Sequence, residues 1–227
     1  MSWYQGRPSS ISLFSIRQQY AGADLDSINN GRTVASTGMS IMEARVAKAS
    51  ANWFYALGRR IFHRNKELAL DWQTRRKIIL DIAKGLSYRH EECRQKIIHL
   101  DIKPQNILLD ESFNAKVSDF GLSKLMDRDQ SQVVTTLRGT PGYLAHEWLS
   151  SAITEKVDVY SFGIVTLEIL CGRRNLDHSQ PEEDKHLLRL FKKKAEEDQM
   201  LDLVDKYSED MQLHGAEAVE MMRLAAW

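Results

Sequence analysis

The run from Val157 to Cys171 constrains this chain more than any other feature. Apolar side chains occupy nearly every position, and only Asp158, Ser161, Thr166 and Glu168 interrupt them. A helix that is apolar all round is stable only where other elements cover every side of it. The run therefore predicts a helix at the centre of a domain. It falls short of the roughly 20 apolar residues that a membrane span needs. Gly172 follows directly and supplies the left-handed residue that commonly ends a helix.

Other local signals agree with that centre. Asp71 is a good N-cap for a helix carrying Trp72, Ile78, Ile79, Ile82 and Leu86. Ile97-Ile98, Ile107-Leu108-Leu109 and Ala115-Lys116-Val117 read as short strands, with a turn at Asp110–Asn114 between the last two. From Asp184 to Trp227, apolar clusters (Leu187, Leu188, Leu190, Phe191; Met200, Leu201, Leu203, Val204; Met221, Met222, Leu224) alternate with charge. They predict surface helices packed by one side onto the core. Lys192-Lys193-Lys194 before Glu196, Glu197 and Asp198 fits an exposed, salt-laced helix.

The first part of the chain differs. Residues 1–66 hold nine Lys or Arg against three acids, although the whole chain of 227 residues has no net charge. That neutrality excludes a general electrostatic pull toward nucleic acid. Residues 1–40 are rich in Ser, Gly, Asn and Thr with no sustained period, and are expected to be poorly ordered. The same composition also describes an organelle transit peptide, whereas no apolar block at the start suggests a secretory signal. Ile41 to Leu57 is expected to form a short helix, with Ile41, Val46, Phe54 and Leu57 on its apolar face. Cys93 and Cys171 fit neither a disulfide framework nor a zinc pattern and read as reduced thiols. His90-Glu91-Glu92-Cys93 could be drawn as a metal site, but it falls just past a helix and reads as a solvated terminus.

The chemistry is concentrated in His99-Leu100-Asp101-Ile102-Lys103-Pro104-Gln105-Asn106 and in Asp119-Phe120-Gly121, thirteen residues after Asn106. These stretches put a carboxylate, an ammonium, a carboxamide and a second carboxylate in fixed order on loops between short strands. That is the set required to move a phosphoryl group from ATP to a hydroxyl. Asp101 would accept the hydroxyl proton and Lys103 would stabilise charge on the moving phosphate. Asn106 and Asp119 would hold Mg²⁺, with their side chains converging on one site near Asp101. Asp-Phe-Gly alone carries no information. Its spacing from Asp-x-Lys-x-x-Asn, followed by Gly139-Thr140-Pro141-Gly142-Tyr143-Leu144-Ala145-His146-Glu147 and Asp158-Val159-Tyr160-Ser161-Phe162-Gly163, is specific.

On these blocks, with Leu70-Asp71-Trp72, residues 61–227 resemble the C-terminal lobe of a plant receptor-like serine/threonine protein kinase of the G-type lectin S-receptor-like subgroup. The resemblance implies an α+β, mainly α fold with small β-hairpins, preceded by an unplaced basic segment over residues 1–60. It implies ATP and Mg²⁺ as cofactors and a protein serine or threonine as acceptor, with no nucleic acid partner. The location would be cytoplasmic, at the inner face of the plasma membrane in a full-length receptor. Leu108 would form the floor under adenine, His99 would support the turn, and Asp158 would hydrogen-bond the catalytic-loop backbone. Lys103 with Thr140 is the pairing of serine/threonine specificity. Thr135, Thr136, Thr140 and Glu147 would lie in the activation segment, the first two as phosphate acceptors. No glycine-rich loop precedes these blocks, and Val46-Ala47-Lys48 falls one residue short of the strand-lysine pattern. The N-terminal lobe is thus expected to be largely missing and the chain alone to show no measurable activity. A non-catalytic interaction module is the alternative.

Three positions depart from the family pattern. Arg89 falls on an apolar helix face and must snorkel or weaken packing. His146 stands where Pro would start a helix. Leu100 replaces the arginine before the catalytic Asp, so a phosphate on the activation segment loses one charge-assisted partner, worth roughly 1.5–3 kcal/mol where present. Replacing Thr135 and Thr136 together by alanine in a full-length kinase is therefore expected to change its activity little. A loss of about a hundredfold or more (~3 kcal/mol), with the fold intact, would contradict the reading of Leu100.

Overall fold

The computed structural model describes residues 55–62, 66–134, 139–146 and 152–226. Strand β1 (Tyr55–Ala56) and the single turn α1 (Gly58–Ile61) lead through a 3-10 turn to α2 (Trp72–Ser87). The Asp71 carboxylate accepts the Thr74 backbone N–H at 2.7 Å, capping α2 where the sequence predicts. Trp72, Ile78, Ile79, Ile82 and Leu86 are all buried. A wide turn over Tyr88–Glu92 follows, then β2 (Lys96–Ile98), the 3-10 turn Pro104–Asn106, β3 (Ile107–Leu109) and β4 (Ala115–Val117). β5 (Lys124–Met126), β6 (Val133–Val134) and β7 (Ala152–Ile153) complete the strands.

The central helix is α3 (Lys156–Cys171), buried on every side apart from Lys156, Val159 and Tyr160 near its start. Each large aliphatic side chain buried along it contributes roughly 1.5–3 kcal/mol. Gly172 ends it at φ 63°, donating its N–H to Glu168 O at 2.9 Å. α4 (Leu187–Glu196), α5 (Glu209–Leu213) and α6 (Gly215–Ala225) follow, burying Leu187 and Phe191, Met211, and Met221 with Met222. α6 approaches α3 so closely that a Cβ on Gly163 would stand 2.3 Å from Ala225 O. Only glycine fits there.

The mainly α architecture with small antiparallel strands stands as expected. Of the strand pairs, only β3 with β4 is a local hairpin, closed by Asp110, whose carboxylate accepts the Ser112 and Asn114 N–H groups at 2.9 Å. β1 extends this hairpin on its β3 side, β2 pairs with β5, and β6 pairs with β7, each across a long stretch of chain. The expected helix over Ile41–Leu57 ends differently. Residues 41–54 lie outside the described residues, and Tyr55–Ala56 is a strand held on β3. Its backbone bonds are made with a neighbouring strand and not within its own segment.

One buried ion pair ties the helices together. Arg75, on the inward face of α2, is fully buried. It donates from Nε to Leu70 O at 2.9 Å, and its two terminal nitrogens reach Ile169 O near the end of α3 and the buried Asp205 carboxylate. Asp205 in turn accepts the Tyr207 N–H at 2.9 Å and donates its own N–H to Leu170 O at 3.1 Å. Breaking such a pair leaves an uncompensated buried charge, whereas replacing both partners by apolar groups does not. Asp205→Ala is expected to lower the unfolding free energy by about 3–5 kcal/mol in urea titrations. The double change Arg75→Met with Asp205→Leu should cost much less, and an equal loss in both would refute the assignment.

Candidate active site

The site is built on one buried carboxylate at the start of α3. Asp158 Oδ2 accepts the His99 backbone N–H at 2.7 Å, and Oδ1 accepts the Leu100 N–H at 2.8 Å. These bonds hold Leu100 at φ 70°, a left-handed conformation unusual for a branched residue. The expected role of Asp158 toward the loop backbone matches this geometry. A further partner was not expected. His90 Nε2 lies 2.9 Å from Asp158 Oδ2, and its ring is buried. The reading of His90–Cys93 as a solvated terminus is therefore corrected at His90. Its position four residues after Leu86 puts it on the inward face, a periodicity present in the sequence. Among the described residues no group of His, Cys, Asp and Glu could hold a metal ion by itself, and both cysteines are unpaired.

His99 acts as an internal brace. Its Nε2 lies 2.9 Å from Ser118 O, while its Nδ1 receives the Asp101 N–H at 3.2 Å. One nitrogen must donate and the other accept, so the ring is the neutral Nε2–H tautomer. Burial lowers its pKa and favours the same form. The Phe120 ring stands edge-on to His99 at 4.9 Å, and the Arg89 guanidinium lies 4.8 Å from the Phe120 centroid. Arg89 resolves its place on an apolar face in this way, also donating to Gly85 O at 2.7 Å.

Three side chains converge on Asp101, which is itself buried. Lys103 Nζ donates to Oδ2 at 2.7 Å, Asn106 Nδ2 to Oδ2 at 2.9 Å, and the Thr140 hydroxyl to Oδ1 at 2.7 Å. Lys103 Nζ also reaches Thr140 Oγ1 at 2.9 Å, the expected pairing. Asn106 Nδ2 donates as well to Asp101 O at 2.9 Å. Both groups facing this nitrogen are oxygens, so the amide orientation is fixed and its carbonyl oxygen points away from Asp101. Asp119 sits one residue beyond a tight link, because Ser118 bonds Asn106 O through both its N–H (2.8 Å) and its hydroxyl (2.9 Å). Among the described residues its exposed carboxylate makes one long contact, accepting the Gly121 N–H at 3.4 Å. Leu108 is half-buried on β3, on the face opposite buried Ile107 and Leu109. Thr135, Thr136 and Glu147 lie outside the described residues.

Leu100 and the segment after Asp119 share an apolar cluster. Leu100 packs with Ile98, Met126, Ala145, Ile153 and Val157, with Leu122, Leu144 and Tyr160 against it. Gly139, at φ 124°, allows the close turn beneath Leu144, where a Cβ would meet Leu144 Cδ2 at 2.7 Å. His146 is exposed at the edge, its ring 6.3 Å from Tyr160.

The segment carrying Thr140 is tied to the far part of α3 by contacts that the sequence reading missed. The Tyr143 hydroxyl donates to the Glu168 carboxylate at 2.9 Å, Asn175 N–H donates to Glu168 Oε1 at 2.7 Å, and Asn175 Nδ2 donates to Gly142 O at 2.7 Å. Glu168 is fully buried, and burial pushes its carboxyl up from 4.5 to about 7. Burial and the neighbouring carboxylate also raise the Tyr143 phenol.

The chain belongs to the protein kinase family, whose domain description matches residues 52–215. It is similar to the G-type lectin S-receptor-like serine/threonine-protein kinase SD2-5 of Arabidopsis thaliana, at 50% identity over 174 residues, 76% of this chain and 21% of that protein. A probable receptor-like protein kinase of the same plant is 46% identical over 70% of this chain and 36% of its own length. LECRK4 of Oryza sativa subsp. indica, another of the G-type lectin S-receptor-like group, is 43% identical over 69% of this chain and 20% of its own length. The resemblance read from the motifs is borne out. The chain spans between about a fifth and a little over a third of these relatives. Among the described residues no helix is long and apolar enough to cross a membrane.

Glu168 gives the site a pH signature. Between about pH 4.5 and 7 the folded chain retains a proton at this carboxyl that the unfolded chain has released. Stability contributed by the protonated form is complete below that window and is lost as pH rises through it. Relative to Glu168→Gln, the wild type should lose about 3 kcal/mol of stability across the window. Urea unfolding of both proteins at several pH values measures this, and a constant difference would refute it.

Proposed function

We propose that this chain carries the catalytic lobe of a protein serine/threonine kinase, moving the γ-phosphoryl group of ATP to a serine or threonine hydroxyl of a protein. The observation that carries the reading is the convergence of Lys103, Asn106 and Thr140 on the Asp101 carboxylate. Asp119 is linked to the same turn through Ser118. Asp101 is the group that takes the acceptor's hydroxyl proton, Lys103 offsets charge on the moving phosphoryl group, and Thr140 orients both.

The donor set also suits Mg²⁺, a hard cation that takes oxygen ligands, often only one or two carboxylates beside phosphate oxygens. The Asn106 carbonyl oxygen faces away from Asp101, and the Asp119 carboxylate is exposed with one long contact. These two residues would hold the ion. Bound there, Mg²⁺ neutralises phosphate charge as it develops. Leu108 offers an apolar face for adenine. We place the catalytic lobe at residues 61–227 and assign residues 1–60 no role. By analogy with the receptor-like relatives, its setting would be the cytoplasmic face of the plasma membrane. Thr135 and Thr136 are the proposed phosphate acceptors, with Glu147 a structural member of the same segment. A purely docking role would not require three donors focused on one buried carboxylate.

The test fuses residues 61–227 behind the glycine-rich lobe of a relative and measures phosphate transfer from labelled ATP to a serine or threonine acceptor. Asp101→Asn should lower transfer by roughly 10²–10⁴-fold, and Asp119→Ala or removal of Mg²⁺ should bring it to background. Transfer that is unchanged in Asp101→Asn would overturn the reading.

A further inference from the structure

A hollow opens beside the catalytic turn, lined by Ala56, Gly58, Arg59, Phe62, Gln105 and Arg174. It adjoins the Asp101 cluster through the backbone. Gln105 lies between Pro104 and Asn106 in the 3-10 turn, and a Cβ on Gly58 would stand 3.5 Å from Pro104 Cβ. Ala56 and Phe62 supply apolar surface, Gln105 a carboxamide, and Arg59 and Arg174 two guanidinium groups. Among the described residues no carboxylate lines it. Arg174 is held in place, its guanidinium 5.1 Å from the Phe62 ring centroid. Among the described residues neither Arg59 nor Arg174 forms an ion pair. The acidic group whose field Arg174 reaches is Glu168, which is buried and already bonded to Tyr143 and Asn175. The hollow is therefore a region of positive potential with an apolar floor, one residue away from the groups around Asp101.

We propose that this hollow binds an acidic side chain of the protein acceptor, close in sequence to the serine or threonine that receives the phosphate. The proposal rests on the kinase reading of Asp101. Glutamate fits it best. Its methylenes lie against Ala56 and Phe62, and its carboxylate meets planar guanidinium donors suited to bidentate bonding. The Gln105 amide offers a further donor. A lysine or arginine in the same place would bring like charges together and be rejected. The hollow would thus read the acceptor's charge without touching the reacting atoms.

The test needs no nucleotide. Fluorescent peptides of equal length, each with one central serine, carry glutamates, lysines or phosphoserines on both sides. Their binding to the full chain is followed by fluorescence anisotropy at low salt. The glutamate peptide should bind at least about tenfold more tightly than the lysine peptide. Arg59→Glu and Arg174→Glu should each weaken glutamate-peptide binding, and together they should reverse the preference. Lys192→Glu, an exposed change on α4 of the same charge, should leave it unchanged. Circular dichroism checks folding, and Arg174→Gln carries the test if Arg174→Glu misfolds. Equal binding of the two peptides, absence of binding included, overturns the proposal. So does a preference that survives both arginine changes or is lost equally with Lys192→Glu. Binding of the phosphoserine peptide alone overturns the carboxylate assignment. Transfer unchanged in Asp101→Asn would overturn only the kinase reading, since phosphoryl transfer plays no part in this measurement.

Discussion

The Asp158 carboxylate is the interaction on which the site depends. A buried charge is stable only where it is well bonded, and this one accepts two backbone N–H groups and a histidine nitrogen. Those bonds offset the strain of Leu100 at positive φ, a cost on the order of 1–3 kcal/mol. They fix the direction in which the chain leaves β2 and enters the catalytic turn. His99, braced against Ser118, carries that direction to the segment that holds Asp119. The turn that carries Asp101 is therefore positioned by a carboxylate that bonds its backbone.

α3 holds two separate segments in place. Asp158 and Glu168 lie ten residues apart on it, roughly 15 Å along a helix. The first holds the catalytic turn, and the second holds Tyr143 and, through Asn175, Gly142. A helix buried on nearly every side can neither bend nor slide without disturbing its neighbours. The distance between the turn that carries Asp101 and the segment that carries Thr140 is thus set by a rigid element, and Thr140 closes the circuit at Asp101.

What could be read from the sequence was local. The Asp71 cap, the inward stripe of α2, the all-round burial of α3 and the Gly172 stop each depend on a few adjacent residues. The roles proposed for Asp101, Lys103, Asn106 and Asp119 came from fixed spacing, and the structure gathers Lys103, Asn106 and Thr140 on the Asp101 carboxylate. Contacts between distant segments were not legible. β2 with β5 and β6 with β7 are pairings of two or three residues, too short to carry a period. Arg75 with Asp205, and Tyr143 with Glu168, are polar residues in apolar surroundings whose partners no pattern names. His90 was within reach, since it continues the inward face of α2, but its place beside Glu91 and Glu92 suggested solvent.

Leu100 has a consequence for how Met126, Leu144, Ala145 and Ile153 are held together. Its neighbours Met126, Leu144, Ala145 and Ile153 come from before and after the undescribed stretch 135–138, and they are gathered by apolar contact. A phosphate–arginine clasp would be weakened by salt, whereas burial of this kind is insensitive to moderate ionic strength and weakens on cooling. The packing around Leu100 is accordingly governed by temperature and water more than by salt.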